Sequence, residues 1–487
     1  MQSSTPSSSY PASTTSLPFR SGTSITSNRI SGEDEDPTDT TMTVPAVSSI
    51  FLDLPLIKDS HLETTSSEAQ DETVKECLPF LTLQNFEPEN LTEEGLPRLQ
   101  RAKHIKFLKT SIEMTYPKGF TPMDSSRPWT VYWSLVGLHM LGEDPSQWRD
   151  RVIATAQQVQ NPDGGFGGGA GQLAHSATSY AIILALVTVG GKEALDAVDR
   201  KNMWHWLGRM KQKDGGFTVC AGGEEDIRGA YCSMTLIALL NLPLELPPDS
   251  PARVNGNETF LTGLPEWIQR CQTYEGGIAG LPDSEAHGAY AFCALACLSI
   301  IGPPAKMIPK YLDVPSLIHC LSSLQHAPET GFAGRTNKLV DGCYSHWVGG
   351  CWSLLSAALG LVTTDLWSRE GLARYILCCC QGDRGGLRDK PSKHPDAYHT
   401  NYCLAGLSAA QYVAEYVVPE GENSSETLDD ELAGIVALTA PFQWRIERES
   451  EGPWSEEVKV MPVHPVFVVP VNRVKECHDY FETKSGF

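Results

Sequence analysis

Asn161-Pro162-Asp163-Gly164-Gly165-Phe166 is the segment that indicates the fold most clearly, because altered copies of it recur along the chain. In each copy a glycine turn is followed by an apolar residue and, after a loop, by small and apolar residues with helical spacing. Such self-similarity predicts a repeat architecture. The later copies read Lys213-Asp214-Gly215-Gly216-Phe217, Tyr274-Glu275-Gly276-Gly277-Ile278, Glu329-Thr330-Gly331-Phe332 and Gly382-Asp383-Arg384-Gly385-Gly386-Leu387.

The spacing of these copies predicts the size of the repeat. Taking positions 164, 215, 276, 330 and 385 as equivalent gives spacings of 51, 61, 54 and 55 residues, which is room for two helices. The longest spacing contains residues 241–262, whose prolines predict a loop insertion. Because the repeat region lacks sustained strand alternation, we expect an all-α fold. Periodicity alone leaves open whether the hairpins form an open solenoid or a closed ring.

Composition excludes several classes of protein. With 487 residues, of which 41% are hydrophobic and 20% charged, the chain can bury a large core. The net charge of −21 (38 basic minus 59 acidic residues) argues against binding nucleic acid or anionic membranes, which requires a basic face. No apolar run approaches the ~20 residues of a membrane span, and the N-terminus lacks a signal-peptide pattern. We therefore expect a cytoplasmic protein without stable membrane insertion, whose 14 cysteines stay reduced.

Three regions are predicted along the chain. Residues 1–75 are rich in Ser, Thr and Pro and almost free of aromatic residues, so a disordered, acidic tail is expected. Residues 76–417 contain the helical repeats. Residues 418–487 form an acidic extension and an extended C-terminal strap, because the prolines in its apolar segment 459–470 oppose a central strand.

Asp341 and Cys343 form a possible metal-binding pair, since carboxylate, thiolate and imidazole groups are the usual zinc donors. His399 follows 56 residues after Cys343, in the corresponding place one repeat on. Together the three would leave one coordination position open, as in catalytic zinc sites. The alternative is a capping Asp, a buried Cys and a core His without a metal.

Polar and aromatic side chains at the helix starts after the glycine turns would point to one end of the assembly. His287, Arg335 and Lys338 form a cationic group, which would either stabilise a departing diphosphate or belong to a solvated face. The aromatic residues would either line a deep pocket for an apolar chain or form an ordinary core. They are Trp129, Tyr132, Trp133, Tyr180, Tyr231, Tyr290 and Trp347.

Over residues 98–415 the chain resembles the β subunits of the protein prenyltransferases, and among them those of protein farnesyltransferase. The resemblance implies an all-α, α/α toroid, which is a closed barrel of helical hairpins, and an obligate α subunit that wraps this chain. The segments that carry the resemblance are Asp163-Gly164-Gly165-Phe166-Gly167-Gly168-Gly169, Glu285-Ala286-His287-Gly288-Ala289-Tyr290, Asn337-Lys338-Leu339-Val340-Asp341-Gly342-Cys343-Tyr344-Ser345 and Tyr398-His399-Thr400-Asn401-Tyr402-Cys403.

The resemblance also implies roles for individual residues. Asp341, Cys343 and His399 match the ligands of one Zn²⁺ ion, and Tyr344 joins them as a catalytic group. Asp389 matches a carboxylate linked to Mg²⁺ assistance at the diphosphate. The diphosphate-binding positions are His287, Arg335, Lys338 and Tyr344; the isoprenoid-pocket positions are Trp129, Tyr180, Arg228, Tyr231, Tyr290, Cys293 and Trp347; and the peptide-binding positions are Trp129, Trp133, His175 and Tyr398.

The implied reaction is the zinc-dependent transfer of a farnesyl group from farnesyl diphosphate to the cysteine of a C-terminal Cys-a-a-X motif, in proteins such as small GTPases. Trp129 and Asp389 favour farnesyl, because geranylgeranyl enzymes carry a smaller residue and a lysine at these two places.

Three alternatives compete with this interpretation. The nearest is the β subunit of protein geranylgeranyltransferase type I. A triterpene cyclase would need an Asp-rich protonation motif, which residues 98–415 lack. A non-catalytic toroid that serves as a binding module would give no reason for the metal-binding and cationic groups to occur together.

Overall fold

The computed structural model describes residues 63–116, 118–361, 366–418 and 437–484. Short 3-10 helices lie at Pro88–Asn90, Lys118–Ser126, Pro145–Trp148 and Ala440–Phe442, a π-helical turn lies at Tyr375–Cys380, and strands β1 (Tyr412–Tyr416) and β2 (Trp444–Glu449) pair antiparallel. The α-helices are α1 (Thr65–Leu81), α2 (Arg101–Glu113), α3 (Arg127–Met140), α4 (Arg149–Val159), α5 (Ser176–Val189), α6 (Lys192–Asp196), α7 (Arg200–Met210), α8 (Ile227–Leu239), α9 (Leu264–Arg270), α10 (Gly288–Ile301), α11 (Pro304–Tyr311), α12 (Val314–Ser323), α13 (Tyr344–Trp347), α14 (Cys351–Leu359), α15 (Arg369–Arg374), α16 (Ala397–Gln411) and α17 (Val471–Glu482). No helix in these ranges is both long enough and apolar enough to span a membrane.

The helices of the repeats form two layers. Every residue of the inner helix α5 except Ala177 is buried, whereas the outer helix α4 buries a single stripe of Val152, Ala156 and Val159. Each repeat therefore presents one helix to the interior and covers it with an amphipathic one. The outer helices are α2, α4, α7, α9, α12 and α15; the inner helices are α3, α5, α8, α10, the broken pair α13 and α14, and α16.

Packing between the inner helices closes the ring. Each inner helix packs against the next one along the chain, and the last, α16, packs against the first, α3. An open solenoid would leave its first and last repeats apart. The expected α/α toroid is therefore confirmed, and the open solenoid is excluded.

The first glycine of each turn sits where the next outer helix comes closest. Gly164 and Gly385 have φ angles of 97° and 99°. A Cβ on Gly164 would lie 2.0 Å from the carbonyl oxygen of Asn202 in α7, and a Cβ on Gly385 would lie 2.3 Å from that of Lys103 in α2. Because Gly385 belongs to the last turn and Lys103 to the first outer helix, the outer layer closes too. Thr330, which the sequence aligns with these glycines, also has a positive φ of 64°.

A glutamine before most turns fastens one repeat to the next. Gln381 accepts a hydrogen bond from the Gln100 backbone N–H at 2.8 Å and donates one to the Arg98 carbonyl at 3.1 Å. In one repeat Lys211 takes the place of the glutamine. Equivalent pairs of bonds to the start of the next outer helix are made by Gln160, Gln272 and Gln325.

The C-terminal segment enters the ring at the end where the inner helices finish. The hydroxyls of Tyr132 and Tyr231 donate hydrogen bonds to the carbonyls of Val468 and Val466, at 3.0 and 2.6 Å. Residues 466–469 are buried. This segment seals its end of the ring, and the glycine turns lie at the other.

The disordered tail predicted for residues 1–75 is wrong at its C-terminal boundary. Residues 65–75 belong to helix α1, which follows the capping residue Thr64 and buries Cys77. Its apolar stripe packs against the π-helical turn of the last repeat, a contact that the polar composition of this segment concealed. Residues 1–62 of the predicted tail lie outside the described residues.

The region from 418 to 487 holds more regular structure than the predicted acidic extension and strap. Strand β2 pairs with β1, and helix α17 follows the strap. Within the segment 459–470, Val463 and Pro470 form an isolated β-bridge, and the segment contains no β-strand of several residues. Residues 419–436 lie outside the described residues. Residues 241–262 form a loop between α8 and α9.

Gly385→Ala tests the closure of the outer layer. The new Cβ adds a collision with Lys103 to the cost of a positive φ, so we expect the free energy of unfolding to fall by about 2–4 kcal/mol. Gly222→Ala is the matched control, because Gly222 has a φ of 72° but open space around it, and should cost about 1 kcal/mol. Urea unfolding of the purified protein measures both losses. Equal losses would contradict a tight contact at Gly385.

Candidate metal centre and aromatic pocket

Three side chains from two repeats meet at the glycine-turn end of the ring. Asp341 and Cys343 lie at the start of α13, and His399 lies in the first turn of α16. A carboxylate oxygen, the thiol sulfur and an imidazole nitrogen of these residues lie within 4.8 Å of one another. His399 Nε2 is 3.2 Å from Asp341 Oδ1. The structure therefore brings together the three residues that the sequence predicts as zinc ligands.

Asp396 orients the imidazole of His399. Its Oδ2 lies 2.7 Å from His399 Nδ1, and its Oδ1 accepts the His399 backbone N–H at 2.7 Å. The imidazole therefore turns Nε2 toward Asp341 and Cys343, the arrangement usual for a histidine ligand. Asp396 also caps α16, so one residue both starts this helix and fixes the ring.

Shared protons hold the three groups together. Burial raises the pKa of the Cys343 thiol to about 12, against the effect of its hydrogen bond to His399. Burial alone would lower the pKa of His399, but hydrogen bonds to Asp341 and Asp396 raise it to about 12. Burial alone would raise the pKa of Asp341, but His399 brings it below its usual value. A divalent cation would replace these protons, and this set of oxygen, sulfur and nitrogen donors suits Zn²⁺.

The residues that the sequence predicts as a cationic group, His287, Arg335 and Lys338, lie at the start of α10 and on the loop before α13. His287 caps α10 through Nδ1, which accepts a backbone N–H at 3.1 Å, so Nε2 carries the proton and faces Tyr344 Oη at 3.2 Å. Burial and then the charge of Arg335 lower the pKa of His287, which keeps this donor neutral. Arg335 pairs with Glu285, and Lys338 is exposed. An anion bound here would compete with Glu285 for Arg335.

Arg228 is fixed beside this group. Its guanidinium donates two 2.7 Å hydrogen bonds to the carboxylate of Asp226, the capping residue of α8. These bonds raise the pKa of Arg228, so it stays charged. The guanidinium also lies 5.6 Å from the centroid of the Tyr290 ring, which in turn lies 5.0 Å from that of His287. About half of the Arg228 side chain is exposed (52%), so the charge faces solvent at the mouth of the ring.

Aromatic side chains from all six inner helices form a closed circuit. Neighbouring ring centroids lie 5.2–5.9 Å apart, except where Trp347 Nε1 donates a 3.2 Å hydrogen bond to Tyr398 Oη. A wall of this kind suits an apolar ligand, and Tyr398 joins it to the adjacent His399. In order, the circuit consists of Trp129, Tyr180, Tyr231, Phe292, Trp347, Tyr398 and Trp133.

Known proteins are similar to this chain over most of its length. Residues 99–469 match the family model of the prenyltransferase alpha-alpha toroid domain. The chain is 48% identical to the protein farnesyltransferase subunit beta of Pyricularia oryzae over 457 residues, which cover 91% of this chain and 85% of that protein. It is 34% identical to the same subunit of Schizosaccharomyces pombe over 423 residues, 86% of this chain and 97% of that one. The chain belongs to the protein farnesyltransferase β-subunit family.

A solved structure agrees with the fold of this prenyltransferase subunit. The Candida albicans protein geranylgeranyltransferase-I complexed with GGPP aligns with a TM-score of 0.55, covering 80% of this chain and 100% of that one. The two sequences are 19% identical, so this likeness bears on the fold alone.

The remaining site residues predicted for this farnesyltransferase β-subunit family member lie on the same inner helices and loops. Cys293 is buried in α10, and this burial raises the pKa of its thiol well above the usual value. His175 caps α5, its Nδ1 accepting a backbone N–H at 3.1 Å. Asp389 is engaged by another group, because Lys390 Nζ lies 2.6 Å from its Oδ1.

Three residues of the site were missed by sequence reasoning. Asp396 has a signal, because an Asp three residues before a predicted helical ligand is a typical cap. Phe292 completes the aromatic circuit but lies in an unbroken apolar helix that gives no sign of it. Glu285, the partner of Arg335, lies 50 residues away in sequence and no local pattern links the two.

Asp396→Asn tests the orientation of His399. An amide cannot accept the Nδ1 proton as a carboxylate does, so we expect the affinity for Zn²⁺ to fall about 10–100-fold. Competition with a chromophoric chelator measures the affinity. Asp383→Asn is the control, since Asp383 is an exposed acid in the glycine turn of the same repeat. An unchanged zinc affinity in Asp396→Asn would contradict the assigned role.

Proposed function

We propose that this subunit carries the catalytic site of a protein farnesyltransferase. The reaction forms a thioether bond between the cysteine sulfur of a C-terminal Cys-a-a-X motif and C1 of the farnesyl group. The bond from C1 to the diphosphate oxygen breaks, and diphosphate leaves with the electron pair. The observation that carries the proposal is the position of the Asp341, Cys343 and His399 cluster beside a circuit of aromatic rings.

The metal-binding part of the proposal rests on donor chemistry. Asp341, Cys343 and His399 would hold one Zn²⁺ ion, which when bound supplies a Lewis acid that keeps a cysteine sulfur ionised at neutral pH. Asp396 keeps Nε2 of His399 directed at the cluster. Tyr398 lies against Cys343 and thus borders both the metal-binding group and the aromatic circuit.

The diphosphate would lie among the donors at the start of α10 and on the loop that leads into α13. His287 Nε2–H, Tyr344 Oη and the charges of Arg335 and Lys338 would stabilise the negative charge that grows on the leaving oxygen. For Asp389, assistance through Mg²⁺ remains a prediction. Its carboxylate is paired with Lys390, so a cation there would have to displace that ammonium group.

The isoprenoid would fill the aromatic circuit. Trp129 packs against Trp133 and Tyr180 with ring centroids 5.4 and 5.7 Å away, and its bulk would shorten the space available to an isoprenoid chain. We therefore propose farnesyl over geranylgeranyl diphosphate. Trp133, His175 and Tyr398 would contact the Cys-a-a-X peptide of proteins such as small GTPases. A prenyltransferase α subunit would complete the enzyme in the cytoplasm.

Cys343→Ala tests the metal site. In the complex with the α subunit we expect about one zinc per heterodimer, and the variant should lose both zinc and farnesyl transfer while keeping its helical circular dichroism. Elemental analysis and a peptide prenylation assay measure these quantities. Cys320→Ala, in the outer helix α12, is the control and should keep both. Transfer by a zinc-free Cys343→Ala complex would refute the proposal.

Trp129→Ala tests the choice of lipid. Removing the indole lengthens the pocket, so in competition the preference for farnesyl over geranylgeranyl diphosphate should fall at least about tenfold. Trp129→Phe keeps most of the bulk and should retain the preference. A wild-type complex that prefers geranylgeranyl diphosphate would instead support the alternative, a geranylgeranyltransferase type I subunit.

A further inference from the structure

One repeat differs from the others at the residue that directly precedes the N-terminal cap of its inner helix. In three repeats this residue is small or apolar and packs on the second glycine of the turn: a Cβ on Gly165 would meet Ala174, and one on Gly277 would meet Ala286. Glu225 takes this place before Asp226. A Cβ on Gly216 would lie 1.7 Å from Glu225 Oε1, so the carboxyl group fills the space against the glycine.

The surroundings of Glu225 disfavour a second negative charge. Its Oε1 is buried, and no side chain or backbone group among the described residues hydrogen-bonds to that oxygen. Burial first, and then the adjoining carboxyl of Asp214, raise the pKa of Glu225 to about 7. Asp214 is tied to the turn, since its Oδ1 accepts the Gly216 N–H at 3.3 Å. Both carboxyl groups therefore lie against Gly216, and burial beside the Asp214 carboxylate favours the protonated form of Glu225 near neutral pH.

A second departure lies in the same repeat. Lys211 stands where the other repeats carry glutamine, and it is fully buried with Nζ donating to the Gly215 carbonyl at 2.6 Å. Burial lowers the pKa of Lys211 to about 7, and Glu225 is among the acids that oppose this. Lys211, which is buried, and Glu225, which is half-buried, thus form one cluster with the exposed Asp214 around one glycine turn.

This cluster adjoins the capping residue that holds Arg228. Glu225 precedes Asp226 in the chain, and the Asp226 backbone N–H donates to the Phe217 carbonyl in the same turn at 3.2 Å. We propose that Glu225 is a positioning residue, which shares a proton with Asp214 and so keeps Asp226 and Arg228 in place at the mouth of the pocket. The consequence for substrate binding rests on the proposed function, because Arg228 is one of the isoprenoid-pocket positions that the family resemblance implies.

The stability of the fold depends on pH in a direction set by the neutral form of Glu225. The fold favours protonated Glu225, so its contribution to stability is present below the ordinary pKa of about 4.5 and is lost as the pH rises through about 7. Above that pH two carboxylates repel each other across the turn. Lys211 has the opposite dependence, because its charged form is the costly one. Charged and titratable groups from several elements face Glu225 and Lys211. They are Asp214 in the turn, Asp226 at the start of α8, Glu266 and Arg270 in α9, Cys271 at the C-terminal end of α9, and Cys297 in α10.

Glu225→Gln mimics the protonated side chain and tests the proposal in the complex with the α subunit. The melting temperature should match the wild type at pH 5 and exceed it by about 1–3 °C at pH 8. The Kd for farnesyl diphosphate, measured by fluorescence titration, should rise at least about threefold in the wild type from pH 6 to pH 8 relative to Glu225→Gln. Glu224→Gln, the exposed neighbour, is the matched control and should follow the wild type.

The two readouts separate the steps of the proposal. Stability profiles that coincide for wild type and Glu225→Gln would overturn the shared proton. If Glu225→Gln flattens the pH dependence of stability but leaves the pH dependence of the Kd unchanged, the positioning of Arg228 would be overturned. If Glu225→Gln fails to fold, Glu225→Ala, which installs the residue that two other repeats carry as Ala174 and Ala286, should flatten the same profiles. A wild type that binds no farnesyl diphosphate at any pH would refute the proposed function, and the stability profile would still decide the shared proton.

Discussion

The contact of the last repeat with the first is the constraint on which the site depends. α16 carries His399 and packs against α3, which carries Trp129. If the repeats opened into a solenoid, the wall would lose continuity between Trp133 and Tyr398, whose rings lie 5.2 Å apart. The close approach of Gly385 to Lys103 and the bonds of Gln381 hold the outer layer in the same closed form. Ring closure thus completes the aromatic circuit.

Helix starts supply most of the chemistry at the open end. In this fold every inner helix begins at the same end, so capping residues from different repeats converge there. His287 and Asp396 are both caps, and each uses one side-chain atom for its helix while leaving another for the site. A capping residue is held by a backbone N–H and hence loses little further conformational entropy when it binds a ligand. The repeat therefore supplies both structure and pre-organised polar groups.

Much of this could be predicted from the sequence, for identifiable reasons. The glycine turns require positive φ and close helix approach, so they mark the repeats, and Asp341, Cys343 and His399 fall at matched places within them. Ring closure is a long-range contact that no local sequence pattern marks. The same is true of Phe292 in the aromatic circuit and of Glu285, which pairs with Arg335. Helix α1 was missed because its stability comes from packing on the last repeat rather than from composition.

A crystal structure of the complex with the α subunit and farnesyl diphosphate, with diffraction recorded at the zinc absorption edge, would locate the metal ion and the lipid in one experiment. We expect one anomalous peak about 2.0–2.3 Å from the donor atoms of Asp341, Cys343 and His399. The proposed function also predicts isoprenoid density inside the aromatic circuit. A peak elsewhere, the absence of any peak, or a lipid bound outside the circuit would contradict it.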